Sequence, residues 1–246
     1  MSVSIQTDPE DHKPGQSQFA PSTIWAARSI GIGSAITWIL GGLSVWYYPG
    51  GNHFNNYQAG YSFTHNWICD SFSLWGYNGQ QNLIGSRLAT VAMLVFVWLA
   101  LFPLWAFLLS TWISSKTSQR FMIGLAFLSA GGLSSLPLSY QLELPIGHDW
   151  VVWFAVIPTI ATSFWFVLNG WRLKVFPSWL LALAASAVVA MIADLAAWII
   201  RLAVGAEPTL FEPLLMKLAM VLVVASVTSL AFLPKFHIPH NPQRVM

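Results

Sequence analysis

Six histidines and nine carboxylates are the groups in this 246-residue chain best suited to moving protons or holding a metal. His53, His65 and His148 fall in segments that also carry Asp70 and Asp149. Two or three imidazoles with a carboxylate can hold a divalent cation. The spacing argues for less: His65 and Asp70 are five apart rather than at the i, i+4 of a helical metal pair, and the adjacent His148 and Asp149 point apart on a helix. The plainer expectation is loop hydrogen bonding, with Asp149 at the start of a helix whose N-terminal dipole it complements. Ser62, His65 and Asp70 supply the residue types of a nucleophilic triad, but a triad is defined by geometry rather than composition. The remaining histidines, His12, His237 and His240, fall in polar tails, so no pair stands mid-membrane for a bis-histidine haem.

Two ionisable residues interrupt long apolar runs. A carboxylate near the middle of a membrane helix costs roughly 3 kcal/mol and is normally paired or faces a wet cavity. The plain reading of Asp194 is therefore an ion pair with Lys217 on the following antiparallel helix. The sharper reading is a proton-active or headgroup-binding site, because Asp194, Trp198 and Arg201 stand at i, i+4 and i+7 and share a helix face. Arg201 and Arg87 also suit simple snorkelling to the interface.

The elements that must position these groups are legible from composition. Apolar residues make up 56% and charged residues 8%, with a net charge of +2 and a mean hydropathy of +0.60; soluble domains carry about a quarter charged residues. Long apolar runs, three of them charge-free over at least the ~20 residues needed to cross a bilayer, predict an all-α polytopic protein with transmembrane helices at 24–46, 87–114, 121–142, 150–171, 178–202 and 213–233. Polar tails precede and follow at 1–23 and 235–246. The 14 Trp and 16 Phe cluster near the ends of these runs, as belt residues do.

Lys116, Arg120, Arg172, Lys174, Lys235 and Arg244 fall on one side, which the positive-inside rule makes cytoplasmic together with both termini. Asp70, Glu143, Asp149, Glu207 and Glu212 fall on the other. The expected location is a plasma or bacterial inner membrane, and the amino terminus, with Asp8, Glu10 and Asp11, does not read as a signal peptide. Cys69 stands alone, so no intrachain disulfide is available.

One connection is long. Residues 47–86 form an outer segment containing Tyr48, Tyr57, Tyr61, Trp67, Phe72 and Tyr77, too aromatic to be disordered. It is expected to fold onto the membrane surface or over the helix ends, bracketed by turn signals at Pro49-Gly50-Gly51-Asn52 and Asn78-Gly79. In the third helix, Ser129-Ala130-Gly131-Gly132-Leu133-Ser134-Ser135 and Ser139-Tyr140-Gln141 predict close helix packing, or else a polar cavity wall. No internal repeat is apparent.

The run Tyr61-Ser62-Phe63-Thr64-His65-Asn66-Trp67-Ile68-Cys69-Asp70 after a first helix, followed by Asn82 and a small-residue-rich second helix, resembles six-helix bacterial membrane proteins distantly similar to the DRAM, Sfk and Frag group. Relatives in that group carry a Ser-Asp motif in the corresponding segment, and one acts in lipid-anchor remodelling. Here Cys69 stands before Asp70, and the following glycine is displaced to Gly76. The resemblance implies that Asp70 and its neighbours centre the outer site and that the ligand is a lipid.

Three functions stay open. In the first, Arg87, His148, Asp149, Trp198, Arg201 and Lys217 bind a lipid headgroup, and Asp70, His65 or Asp194 acts on it. In the second, the chain is a non-catalytic subunit of a larger membrane complex. A transporter is the third, with neither repeats nor paired broken helices to favour it. No motif identifies a cofactor. Membrane lipids and other membrane subunits are the expected partners, and nucleic acid is not.

Overall fold

A computed structural model describes residues 21–112, 116–142, 148–174 and 176–232, with side chains omitted at 21–24, 107, 109–112, 148 and 149. His12, Glu143, Lys235, His237, His240 and Arg244, and the side chains of His148 and Asp149, therefore lie outside the description.

Among the described residues seven α-helices make six membrane spans. They are α1 (Pro21–Trp46), α2 (Leu83–Val95), α3 (Phe102–Trp112), α4 (Lys116–Gln141), α5 (His148–Leu173), α6 (Ser178–Val204) and α7 (Phe211–Ala231). A π-helical turn at Phe96–Leu101 joins α2 to α3, so the second span runs unbroken from Leu83 to Ala106. There the Phe102 N–H reaches back to the Val97 carbonyl, five residues earlier. Pro103, which has no N–H, follows at once, so the widened turn stands where the regular ladder loses a donor. All six spans are long and apolar enough to cross a bilayer, and the chain is a multipass membrane protein.

Side-chain exposure fits a lipid solvent. Phe96, Val97, Leu108, Leu180 and Leu230 are buried, whereas Ile39, Phe154, Ile200 and Phe232 are exposed on the helices' outer faces. In water that distribution would be unfavourable; in hydrocarbon it costs nothing.

Several boundaries differ from the pattern of charges: α4 starts at Lys116 rather than 121, and three further differences bear on the site. The second span begins at Leu83 rather than 87, because Leu83, Ile84 and Gly85 continue the helix outward. Arg87 therefore sits one turn inside the span, exposed. Asn82 closes the preceding segment: its N–H donates to the Leu74 carbonyl, its amide to those of Ser71 and Ser73, and its own carbonyl receives the Ser86 N–H. At the same end of the bundle α6 runs to Val204, where Gly205 adopts a left-handed φ of 65° and ends it, and α7 starts at Phe211. The 40-residue expectation for the segment thus narrows to the stretch between Trp46 and Leu83.

The small residues of α4 are mainly packing surface. A Cβ on Gly132 would lie 2.6 Å from the Cα of Ala155, so α4 and α5 meet backbone to backbone. Ser129 and Thr159 share a hydrogen bond across the same contact, and Trp98 donates its indole N–H to Ser134 Oγ at 3.0 Å. Lower in polarity but longer in reach, Gln141 donates to Ser86 and Thr90 of α2 at 3.1 and 3.0 Å.

Candidate functional site beneath the folded segment

Residues 47–82 fold over one end of the bundle, called here the segment end. A short hairpin, β1 (Gly50–Asn52) with β2 (Asn55–Ala59), opens it. The Asn52 carboxamide oxygen accepts the N–H groups of Phe54 and Asn55, both at 2.9 Å, and its amide donates to Gln58 Oε1 at 2.8 Å. The two turn signals hold each other: Asn78 donates from its backbone to Gly50 O and from its side chain to Pro49 O. Only glycine suits Gly51, whose φ is 76° and where a Cβ would stand 2.6 Å from the Asn78 nitrogen.

Asn66 and Asp70 form the centre of the segment. Asn66 is wholly buried; its amide donates to Gly51 O at 2.8 Å and Asp70 Oδ2 at 3.0 Å, and its oxygen accepts the Ser62 N–H at 2.8 Å. Asp70, 2% exposed, also accepts the Trp67 N–H at 2.8 Å, which closes the 3₁₀ turn Ile68–Phe72. From α7, Lys217 donates to the Asn66 carbonyl. Burial pushes the Asp70 carboxyl up to about 6, opposed by the Asn66 and Trp67 donors and the charge of Lys217. Burial, then the Asp70 charge, raises the hydroxyls of Tyr48, Tyr61 and Tyr77 and the Cys69 thiol, so all four stay protonated at neutral pH.

The triad residue types do not assemble. His65 Nδ1 lies 3.0 Å from Ser62 Oγ and 2.6 Å from Thr64 Oγ1, while the Asp70 carboxylate is turned to Asn66 and Trp67. No acid orients the imidazole. His53 lies 3.9 Å from Glu207 of the α6–α7 loop. Among the described residues no three histidine, cysteine or carboxylate side chains gather as metal ligands.

Beneath the segment lies a cavity of about 210 Å³. Trp67, Cys69 and Tyr77 roof it, and Tyr140 of α4 and Val152 and Val156 of α5 form one wall. Asp194, Trp198 and Arg201 of α6 form the other, so the shared helix face is a shared cavity face. A second chamber of about 120 Å³ shares Cys69, Val152, Val156, Asp194 and Met216 with the first. Its other walls are apolar, including Phe96, Leu133, Met191 and Met220, apart from Thr159, whose hydroxyl is bonded to Ser129 and the Ala155 carbonyl. Asp194 thus stands where a polar chamber meets an apolar one.

The expected Asp194–Lys217 pair is not formed. Asp194 is ten residues inside the end of α6 and Lys217 six inside the start of α7, about 15 and 9 Å at helical rise. Direction separates them further. Met216 is the α7 residue at the Asp194 cavity, and Lys217, a turn of about 100° away, lines a different groove with α1, α2 and Tyr61. Among the described residues Asp194 has no hydrogen-bond or ion-pair partner.

Arg201 is committed elsewhere. Its Nε donates to Glu212 Oε2 at 2.9 Å, and the other oxygen of Glu212 accepts the Thr209 N–H at 3.2 Å. Both side chains are largely buried, at 21% and 5% exposure. Glu212 is thus a site residue that the sequence displays only as one more charge at this end. Arg87 borders neither chamber. Asn66 and Tyr77 are likewise brought to the site by tertiary folding, with no signal in their local spacing, whereas Tyr140 belongs to the stretch of α4 whose alternative reading was a polar cavity wall. No protein-family model matches the chain, and no match is found among curated proteins or solved structures.

Proposed function

We propose that this membrane protein binds a lipid through the two-chamber cavity, with the headgroup beneath the folded segment and aliphatic chain toward the apolar chamber. The observation that carries this reading is Asp194, an unpaired carboxylate at membrane depth on the boundary between the chambers. Such a group is costly unless it serves a ligand or a wet cavity. The resemblance of the Tyr61–Asp70 run to six-helix membrane proteins distantly similar to a group with one member in lipid-anchor remodelling points the same way. With Lys116, Arg120, Arg172 and Lys174 at the opposite end, the segment end would face away from the cytoplasm.

Binding is favoured over headgroup modification. His65 and Ser62 border neither chamber, and Asp70 spends its carboxylate on the segment's own hydrogen bonds. The test is native mass spectrometry of the detergent-purified protein. Wild type should retain lipid, and Val156→Trp, which puts a bulky ring at a residue lining both chambers, should lose it while remaining folded. Equal lipid retention by the two proteins would remove the reading.

The subunit reading also has an observation in its favour. Tyr57 is 97% exposed on β2, and Phe63 and Trp75 are exposed on the same segment. Aromatic residues at a surface beyond the helices suit a protein partner. Purification in mild detergent checks it: a stoichiometric partner lost on Tyr57→Ser would support it, and a monodisperse monomer would refute it.

A further inference from the structure

The charges around the cavity do not suit an anionic headgroup. Arg201 is neutralised by Glu212, and Lys217 faces another groove and donates to Asn66. Among the described residues the first chamber is left with one acidic group that has no partner, the Asp194 carboxyl. The neighbouring charge that bears on Asp194 is that of Glu212, another carboxylate.

Four aromatic side chains line the chamber together with Asp194: Trp67, Tyr77, Tyr140 and Trp198. Trp198 is held by an edge contact with Trp153, ring centres 5.0 Å apart. Indole and phenol faces attract cations, and a carboxylate among them adds a directional acceptor. The adjoining chamber offers Phe96, Leu133, Met191 and Met220, which can receive methylene groups but no polar atom. A matching ligand is cationic at one end and aliphatic at the other.

Resting on the lipid-binding reading, we propose that the ligand is an amine-bearing amphiphile whose ammonium group pairs with Asp194 inside the aromatic chamber. The class includes ethanolamine-type headgroups and single-chain alkylamines. It excludes lipids whose headgroup presents only a phosphate or hydroxyls. Binding would supply the counter-ion that the fold withholds from Asp194.

Tetradecylamine and tetradecanol are the probes, alike in chain and different in charge. Affinity for each is measured in one neutral detergent by native mass spectrometry on wild type, Asp194→Asn and Val156→Trp. Wild type should prefer the amine by at least about tenfold, a free-energy difference typical of one charge-assisted contact. Asp194→Asn, nearly isosteric, should bind both probes equally, and Val156→Trp should bind neither. Equal binding of amine and alcohol to wild type, blocked by Val156→Trp, would overturn the amine assignment and leave the lipid site standing. An amine preference that survives Asp194→Asn would also overturn it. Failure of both probes and of phosphatidylethanolamine to bind wild type would overturn the lipid site itself.

Discussion

Lys217 of the last helix donates a hydrogen bond to the main-chain carbonyl of Asn66, 151 residues earlier, and its ammonium lies 5.4 Å from the centre of the Tyr61 ring. One side chain thereby ties the folded segment to α7. The Asn66 side-chain amide donates to Asp70 at 3.0 Å, so Lys217 in the bundle and Asp70 in the segment are linked through one buried residue.

Lys217→Met should therefore loosen the segment without removing the helix. Loss of a charge-assisted bond to a buried carbonyl costs about 1–3 kcal/mol. Hydrogen exchange should speed up across residues 61–72 while α4 and α5 stay protected; unchanged protection of 61–72 would refute the tie.

Asp70 should make the segment more stable in mild acid. Unfolded, it ionises near ~4; folded, burial holds its pKa at about 6. The folded state binds the extra proton between those values, so stability rises as pH falls through 6 and the gain is complete near 4, on the order of 3 kcal/mol. Asp70→Asn keeps an acceptor for Asn66 and Trp67 and should remove this dependence. Thermal unfolding of both proteins at pH 7.5 and 5 checks it: the wild-type melting temperature should rise relative to the variant's on acidification.

Arg201→Met should be strongly destabilising, by about 3–5 kcal/mol, because it strands a buried Glu212. The double change Arg201→Met/Glu212→Leu should recover most of the loss. A parallel cycle on Asp194 and Lys217 should be additive within about 0.5 kcal/mol, as for groups that do not touch. Coupling in the second cycle and none in the first would reverse the assignment of partners.

The six spans were legible because hydrocarbon solvent demands long uncharged runs, and nothing in the tertiary structure overrides that demand. The common face of Asp194, Trp198 and Arg201 was legible for a related reason: helical period places them together whatever surrounds them. Charge partners were not. Sequence order makes Asp194 and Lys217 look like neighbours, yet a one-residue rotation on α7 turns Lys217 toward α1 and leaves Met216 in its place. Arg201 and Glu212 meet only because α6 and α7 both extend beyond their charge-free runs. The hairpin was not legible because Gly50, Gly51 and Asn52 read as a turn, whereas Gly50 and Gly51, at positive φ and tied to Asn78, lead into a strand pairing.

Gly132 and Gly131 should respond oppositely to substitution. Gly132→Val drives a side chain into the backbone of Ala155 and should destabilise the α4–α5 contact by about 2 kcal/mol or more. A Cβ at Gly131 meets nothing within 4 Å, so Gly131→Ala should be neutral or stabilising by up to ~1 kcal/mol. Melting temperatures of the two purified variants decide it.

The central claim is that the two-chamber cavity holds a lipid. It is tested most directly by crosslinking a diazirine-labelled phosphatidylethanolamine to the protein in bilayers and mapping the adducts. Adducts should concentrate on residues 67–77 and 194–201 and vanish from them in Val156→Trp. Labelling spread over exposed positions such as Ile39, Phe154 and Ile200, with no enrichment at the cavity and no change in the variant, would contradict the account.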